Sequence, residues 1–229
     1  YVNAHLKLGK VAEARTLLQE ARETGLKGEV LDQIQAQLDA PSAEDERIKS
    51  ERLLQEKINQ LLGLFKLKNY AEVVEKAETL SRENPTVFVL YNLLGACHVE
   101  LKNYDQAVPY LEEAARLNPD SHEPYYNLGV CAQMAQSFEK AINFYDTTLN
   151  RNSTFNEAIF NKACCYQFMG DLEQAIDQFK SLLEQNPQHT KGYNGLGKAL
   201  YDFGSWRESL GAFLKANSLD PKNATILNN

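Results

Sequence analysis

Long apolar runs, histidine and tryptophan are scarce in this sequence, and positive charges are fewer than negative ones. No stretch of about 18 consecutive apolar residues occurs, so we expect no segment to span a membrane. The formal net charge of −7 makes the phosphate backbone of a nucleic acid a poor partner. No signal peptide is recognisable, and the four cysteines form no spaced framework of the kind that disulfides need. These features predict a cytoplasmic protein.

Residues that would form a catalytic or cofactor site are lacking as well. The four histidines stand at unrelated places, and no serine, histidine and aspartate set can be placed together for nucleophilic catalysis. The segment from Gly192 to Lys198 has the spacing of a phosphate-binding loop, but Ala199 replaces the hydroxyl residue that such a loop needs. We therefore expect no catalytic residue, no cofactor and no metal in this chain.

Proline, in contrast, is present in a regular pattern. Pro85 and Pro119 lie 34 residues apart, Pro187 follows after twice that distance, and Pro221 after 34 more. Each proline follows Asn or Asp, and Ser153 occupies the missing place. A fixed period of this length marks an array of helix-turn-helix units. Such units bury their apolar sides only against their neighbours, so we expect a stack without a central pocket.

Blocks cut at this period start at residues 54, 88, 122, 156 and 190. Mostly small residues recur at the eighth position of the blocks, namely Leu61, Gly95, Gly129, Ala163 and Gly197. They recur again at the twentieth position, as Val73, Ala107, Ala141, Ala175 and Ser209. Small residues at fixed places indicate close contact between two helices. Gly170 and Gly204 mark the turn between those helices, and the Asn-Pro pair ends the second one.

This pattern resembles the tetratricopeptide repeat. The second block carries Tyr91, Leu94-Gly95, Ala107 and Pro119 in the family's register, and the third block repeats it with Leu128-Gly129. The resemblance covers residues 54–221 and is weakest in the first block. It implies an all-α, right-handed superhelical solenoid of tandem helix-turn-helix repeats.

The chain divides into four parts on this basis. Residues 1–28 form a partial repeat-like segment, residues 29–53 a helical connector outside the period, and residues 54–221 five tandem repeats. In the connector, Val30, Leu31, Ile34 and Leu38 predict a short amphipathic helix that ends at Pro41-Ser42. Residues 222–229 begin a further repeat that is cut short, so the chain is expected to be an excerpt of a longer protein.

Three of the cysteines occupy one repeat position. Cys97, Cys131 and Cys165 are the tenth residues of their blocks, and the other two blocks have Gly63 and Ala199 there. The position therefore calls for a small residue, and cysteine is a small residue that is often buried. We expect these thiols to be core residues without a metal.

The resemblance also implies a binding groove, because first-helix positions 2, 5, 6, 9, 12 and 13 line the inner face in the family. Asparagine side chains there offer two donors and one acceptor each, which suits the main chain of an extended peptide, and the aromatic residues beside them would supply apolar contact. The alternative is that they are solvated surface residues. The candidate partner-binding residues are Asn59, Phe65, Asn92, Tyr126, Asn127, Gln133, Phe160, Asn161, Gln167, Lys191, Asn194, Lys198 and Tyr201.

A carboxylate clamp of the kind that holds chaperone tails is a different groove chemistry. Of its five positions, this chain matches only Asn161 and Lys191 across the last three repeats. We therefore do not expect that clamp. Lys191 and Lys198 still make one end of an acidic protein locally basic, which suits an acidic peptide segment.

Three hypotheses about function follow. The first is a non-catalytic module that binds an extended peptide or a partner helix in its groove. The second is the substrate-selecting repeat region of a larger bacterial sulfotransferase or glycosyltransferase, which the asparagine-lined groove and the sequence around Tyr91 and Asn92 resemble. The third is a scaffold that self-associates through its uncapped ends.

Overall fold

The computed structural model describes residues 2–7, 10–39 and 43–221, and in these ranges the regular secondary structure is entirely α-helical. The helices are α1 Val2–Lys7, α2 Val11–Glu23, α3 Glu29–Asp39, α4 Ala43–Lys66, α5 Tyr70–Glu83, α6 Phe88–Glu100, α7 Tyr104–Leu117, α8 Glu123–Met134, α9 Phe138–Arg151, α10 Asn156–Met169, α11 Leu172–Gln185, α12 Thr190–Asp202 and α13 Trp206–Leu219. They fall into two compact units, residues 1–59 and 60–229.

The first unit is built on helices α2 and α3. Ala14 and Leu18 of α2 are buried with Ile34 and Leu38 of α3. Val30, which we expected on the apolar side of α3, is instead 64% exposed, because it lies at the edge of the side that Leu31, Ile34 and Leu38 turn towards α2. The predicted end of this helix at Pro41-Ser42 lies outside the described residues.

In the second unit, helices alternate at a strict period. The second helices of the repeats, α5, α7, α9, α11 and α13, begin at residues 70, 104, 138, 172 and 206. Helices α6, α8, α10 and α12 are the first helices of the later four repeats. The corresponding first helix of the initial block is the end of α4, a 24-residue helix that runs through the expected boundary at residue 54. The division into blocks and connector stays a prediction, and the expected start of a further repeat at 222–229 lies outside the described residues.

Close contact between the two helices of each repeat explains the small residues. All residues at the eighth and twentieth positions are buried. A methyl group added to Gly129 would lie 2.5 Å from the ring of Tyr145, which is itself fully buried. The backbone of α8 therefore packs directly against the Tyr145 ring of α9. Only glycine fits at position 129, because any side chain would meet that ring.

The turn between the two helices is the same in every repeat. Its central residue has a positive φ in all five, at Lys68, Lys102, Gln136, Gly170 and Gly204. The next backbone N–H reaches five residues back to a helix carbonyl, as from Asn103 to His98 over 2.8 Å. This is the Schellman motif, which satisfies the last carbonyls of a helix and favours glycine at the left-handed residue.

Curvature follows from which helices touch. Consecutive first helices are in contact, α6 with α8, α8 with α10 and α10 with α12, whereas consecutive second helices in the described residues meet at isolated points at most. In a stack of helix pairs the row whose members touch lies on the inside of the bend. The first helices therefore form the inner face of the second unit, and the predicted all-α solenoid class is confirmed.

Candidate functional site

The inner face carries a pocket between α10 and α12. It has a volume of about 500 Å³ and is lined by Phe160, Cys164, Gln167, Phe168, Asn194, Gly195, Lys198 and Asp202. Four of these, Phe160, Gln167, Asn194 and Lys198, are among the residues that the sequence analysis selected. The structure therefore brings these four together across two neighbouring repeats.

Two phenylalanine rings form firm walls of this pocket. Phe160 packs edge-on against the buried Phe179, with ring centroids 5.8 Å apart. Phe168 stacks on Phe138 of the preceding second helix at 5.5 Å and 7°, yet 70% of its surface is exposed. An exposed aromatic ring that is already held in place can take an apolar side chain with little further loss of conformational entropy.

The polar rim of the pocket combines amide, carboxylate and ammonium groups. The Gln167 Nε2 donates to Asp202 Oδ2 over 3.3 Å, which ties α10 to α12. Lys198 is exposed beside them. Burial raises the pKa of the half-buried Cys164 thiol to about 11, with the Lys198 charge opposing, so this thiol is protonated at neutral pH.

Helix α12, which supplies one side of the pocket, starts at a histidine cap. The Nδ1 of His189 accepts from the backbone N–H of Gly192 over 2.8 Å, and the ring lies 5.6 Å from that of Phe160. Burial lowers the pKa of His189. The neutral imidazole therefore holds both the start of α12 and one wall of the pocket.

Two of the asparagines predicted to line the groove already make hydrogen bonds within the protein. Asn161 Nδ2 donates to the hydroxyl of Tyr126 over 3.3 Å, and Asn92 Nδ2 donates to Glu123 Oε2 over 3.1 Å. Both bonds join neighbouring first helices. These two amides therefore help to hold neighbouring first helices together. The sequence analysis had expected asparagines that were free to bind a peptide.

Other predicted groove residues differ in what they offer. Gln133 Oε1 accepts from the buried Tyr145 hydroxyl over 2.7 Å. Asn127 is half-buried, and its side chain hydrogen-bonds no other residue in the described part of the chain. Lys191 is exposed, as is Tyr201 at 62%. Among the predicted residues, Asn127 is thus the amide most open to a ligand.

The two predicted residues of the first block do not join this group. Asn59 accepts from Gln55 Nε2 within α4 over 3.0 Å and belongs to the first compact unit. Phe65 packs edge-on against Tyr70 at 5.2 Å, so its ring is engaged at the end of its own helix.

The list of candidate residues left out four lining residues and the histidine cap. One of the four, Phe168, stands at first-helix position 13 in α10. Cys164 and Asp202 stand at first-helix positions 9 and 13, which the family resemblance already placed in the groove, so applying the rule at every repeat would have found them. Gly195 is at position 6, where asparagine was sought. His189 precedes α12 and carried no signal, because its role depends on the ring contact with Phe160.

The structure also bears on the cysteines and on the segment with phosphate-loop spacing. Cys97, Cys131 and Cys165 are all buried, and burial raises their thiol pKa values to between about 11 and about 12. Residues 192–198 lie inside α12, whereas a phosphate-binding motif would need a loop there.

No helix in the described ranges has the length and apolarity that a membrane crossing needs.

A larger pocket, of about 550 Å³, lies between α7, α8 and α9. Its lining includes Tyr104, Met134 and Phe144 but none of the selected partner-binding residues. The α10–α12 pocket is the stronger candidate because it lies on the continuous face that the first helices share.

Antiparallel helix pairs repeating every 34 residues define a helical-repeat protein. Residues 86–154 and residues 160–224 each match a sequence model of the tetratricopeptide repeat. The chain is therefore a tetratricopeptide repeat protein, and repeats of this family bind protein or peptide partners. A search of curated proteins found no match.

Solved structures share the fold at low sequence identity. MamA from Desulfovibrio magneticus RS-1 (residues 41 to the end) is 15% identical with a TM-score of 0.68 and covers 75% of this chain and 97% of its own. YrrB, described as a tetratricopeptide repeat protein with an unusual peptide-binding site, is 21% identical with a TM-score of 0.64, covering 82% and 97%. None of these proteins is described as a transferase, so the resemblance to transferase repeat regions stays a hypothesis.

Proposed function

We propose that the inner face of the second unit binds an extended peptide segment of a partner protein. The observation that carries this proposal is the pocket between α10 and α12. It combines two aromatic walls, the exposed Phe168 and the half-buried Phe160, with amide and ammonium groups on a face that continues across α8 and α6. No catalytic step is assigned to the chain.

Amide groups would hold the main chain of the peptide. Asn127 has its full amide available, and the side-chain oxygen of Asn161 is not used in its bond to Tyr126. An asparagine pairs with a peptide group in both senses, as donor and as acceptor. Pairing of this kind is independent of the peptide's side chains, so it supplies affinity rather than selectivity.

The pocket would supply the selectivity. A bulky apolar side chain of the peptide fits between Phe160 and Phe168, where desolvated aromatic contact contributes most to binding. Lys198 at the rim, and Lys191 two turns earlier on α12, favour a carboxylate in the neighbouring part of the peptide. Their contribution is exposed, so salt screens it.

The test begins with a ligand selected on the purified chain from a displayed library of random peptides. Replacing Asn127 and Asn161 together by Ala should weaken that peptide about tenfold or more, because each lost hydrogen bond is worth about 0.5–1.5 kcal/mol. Asn143→Ala on the outer helix α9 is the matched control and should leave the affinity unchanged. Fluorescence polarisation with a labelled peptide measures the affinities of the parent chain, the double variant and the control.

A second control separates peptide pairing from packing. Tyr126→Phe removes the hydroxyl that Asn161 bonds while leaving the Asn161 amide in place. If the loss in the double variant came from loosening α8 and α10, Tyr126→Phe would reproduce it. The groove assignment is wrong if the double variant binds normally and substitutions on the outer helices abolish binding.

Cys164 offers an independent readout, because it lines the pocket and is only half-buried. Bound peptide should slow its reaction with a thiol reagent at mildly alkaline pH. Cys97, Cys131 and Cys165 should react slowly with or without peptide, since they are buried. Unchanged labelling of Cys164 at saturating peptide would place the ligand elsewhere.

A further inference from the structure

The pocket between α7, α8 and α9 lies where the first helix of a repeat turns into the second. Two of these turns contribute to its lining, through Asn103 and Ser137, and its volume is about 550 Å³. It shares no lining residue with the pocket between α10 and α12. The size is in the range of ligand-binding pockets, and the peptide groove proposed above leaves this pocket unused.

One small residue distinguishes this place from the same place in the other repeats. Ala132 lines the pocket and is the eleventh residue of its block. The other blocks have larger side chains at that position, namely Leu64, His98, Tyr166 and Leu200. The pocket therefore opens where this repeat lacks the side chain that every other repeat provides.

The preceding repeat shows which chemistry suits the place. There the imidazole of His98 stacks on the ring of Tyr110, with centroids 5.5 Å apart. The Tyr110 hydroxyl donates to Glu78 Oε1 over 3.1 Å. Two aromatic rings thus lie against each other, and a hydroxyl of the pair reaches a carboxylate.

Two parts of this arrangement recur in the pocket, 34 residues further along the chain. Phe144 stands at the place of Tyr110 and lines the pocket. Glu112 stands at the place of Glu78 and lines it as well. Among the described residues, no ring stacks on Phe144, and the exposed Glu112 forms no hydrogen bond or ion pair. The second ring and the hydroxyl donor are the parts that this repeat does not supply.

We infer that this pocket binds the phenol side chain of a tyrosine in a partner protein. The phenol ring packs on Phe144, an arrangement that aromatic pairs favour, and its hydroxyl donates to the Glu112 carboxylate. The partner thereby supplies the ring and the donor that the preceding repeat supplies from its own sequence. A hydrogen bond to a charged acceptor is stronger than one between neutral groups, so the pocket should prefer tyrosine to phenylalanine.

The charges around the pocket favour a neutral ring over a charged one. The Lys140 ammonium lies 5.7 Å from the centroid of the Phe144 ring, and the other charged lining residues are Lys102, Asp105 and Glu112. Two cations and two carboxylates balance, so the pocket has no net attraction for an ion. All four are exposed, which leaves the opening accessible to a side chain that projects from a protein surface.

The test uses N-acetyl-tyrosine amide and N-acetyl-phenylalanine amide as probes in a nuclear magnetic resonance titration of the whole chain. We expect the tyrosine probe to shift the amide signals of α7, α8 and α9, and to bind about tenfold more tightly than the phenylalanine probe. Ala132→Leu, which copies Leu64 and Leu200, should fill the pocket and weaken both probes by about tenfold or more.

Glu112→Ala tests the hydrogen bond without touching the core, because Glu112 is exposed. It should abolish the preference for tyrosine and leave the phenylalanine probe unchanged. Glu184→Ala on α11 is the matched control. It removes the same charge from an exposed place outside the pocket and should alter neither affinity.

Several outcomes overturn the inference. They are failure of the tyrosine probe to bind, equal affinities of the two probes for the parent chain, and binding that survives Ala132→Leu. Tighter binding of free tyrosine than of the blocked probe would make this a small-molecule site instead. The double variant of Asn127 and Asn161 should bind the tyrosine probe normally, so this result and that of the peptide groove are independent.

Discussion

Single residues of the second unit show how polar groups are handled inside a helical stack. Most buried positions hold apolar residues, but His98 is only 6% exposed. Neither ring nitrogen of His98 has a hydrogen-bond partner in the described part of the chain. Its ring stacks on that of Tyr110, with centroids 5.5 Å apart at 3°. The position holds Leu64 and Leu200 in other repeats, so stacking replaces aliphatic packing here and leaves two polar atoms unsatisfied.

His98→Leu should therefore stabilise the protein by about 1 kcal/mol at neutral pH, because a buried unpaired polar group is removed. Burial lowers the pKa of His98, with the Glu78 carboxylate opposing. A pKa lower in the folded state means that stability is full above the unfolded pKa of about 6.5 and falls with pH below it. Urea titrations at pH 8 and at mildly acidic pH should show a larger gain at the lower pH.

His189 provides the control for this result, because burial lowers its pKa as well and it remains in the variant. The parent chain should lose more stability on acidification than His98→Leu, and the variant should still lose some. An equal loss in both proteins would mean that His98 does not titrate differently on folding.

At the scale of helices and turns, the Schellman turn explains the most regular feature of the array. Its central residue adopts the left-handed conformation in each repeat, but only the last two repeats use glycine there. Lys102, with φ 62°, carries the strain of a side chain in that conformation, which costs about 1–2 kcal/mol.

Lys102→Gly should raise the free energy of unfolding by about 0.5 to 1 kcal/mol, since relief of strain exceeds the added entropy of glycine in the unfolded chain. Lys180→Gly on the exposed side of α11 is the matched control. It should lower stability by about 1 kcal/mol, because glycine disfavours a helix interior. Chemical denaturation measures both, and equal effects at the two sites would contradict the role of the turn.

Sequence and structure agree where the signal is local and diverge where it is not. Asn118-Pro119 and Gly170 mark helix ends because of their own backbone preferences. Such residues recur at the repeat period, so most helix bounds could be predicted from the sequence. The bond from Asn161 to Tyr126 joins residues 35 positions apart, and it depends on how one repeat packs on the next. No local pattern carries that information, so the groove positions were predictable while their hydrogen-bond partners were not.

At the scale of the molecule, a stack in which each repeat contacts only its neighbours should lose stability locally. Gly129→Ala tests this, because its new methyl group would meet the Tyr145 ring, and overpacking of this kind costs about 1–3 kcal/mol. Hydrogen exchange should accelerate most in α8 and α9, less in α7 and α10, and least in α13.

Gly63→Ala is the control for the added methyl group. No atom lies within 4 Å of its place, and alanine favours the helix, so stability should rise by up to about 1 kcal/mol. Uniform loss of protection along residues 60–221 in Gly129→Ala would indicate one cooperative core instead of a stack.

The unequal contact of the two helix rows has a mechanical consequence. The first helices already touch, so tightening the bend compresses close-packed side chains, which resist strongly. Consecutive second helices stand apart, so straightening the bend moves them towards one another through open space. It strains the contacts within the inner row and those that α7, α9 and α11 make with the next first helix. The second unit should therefore resist further coiling more strongly than it resists extension. A peptide bound along the inner row would oppose that extension.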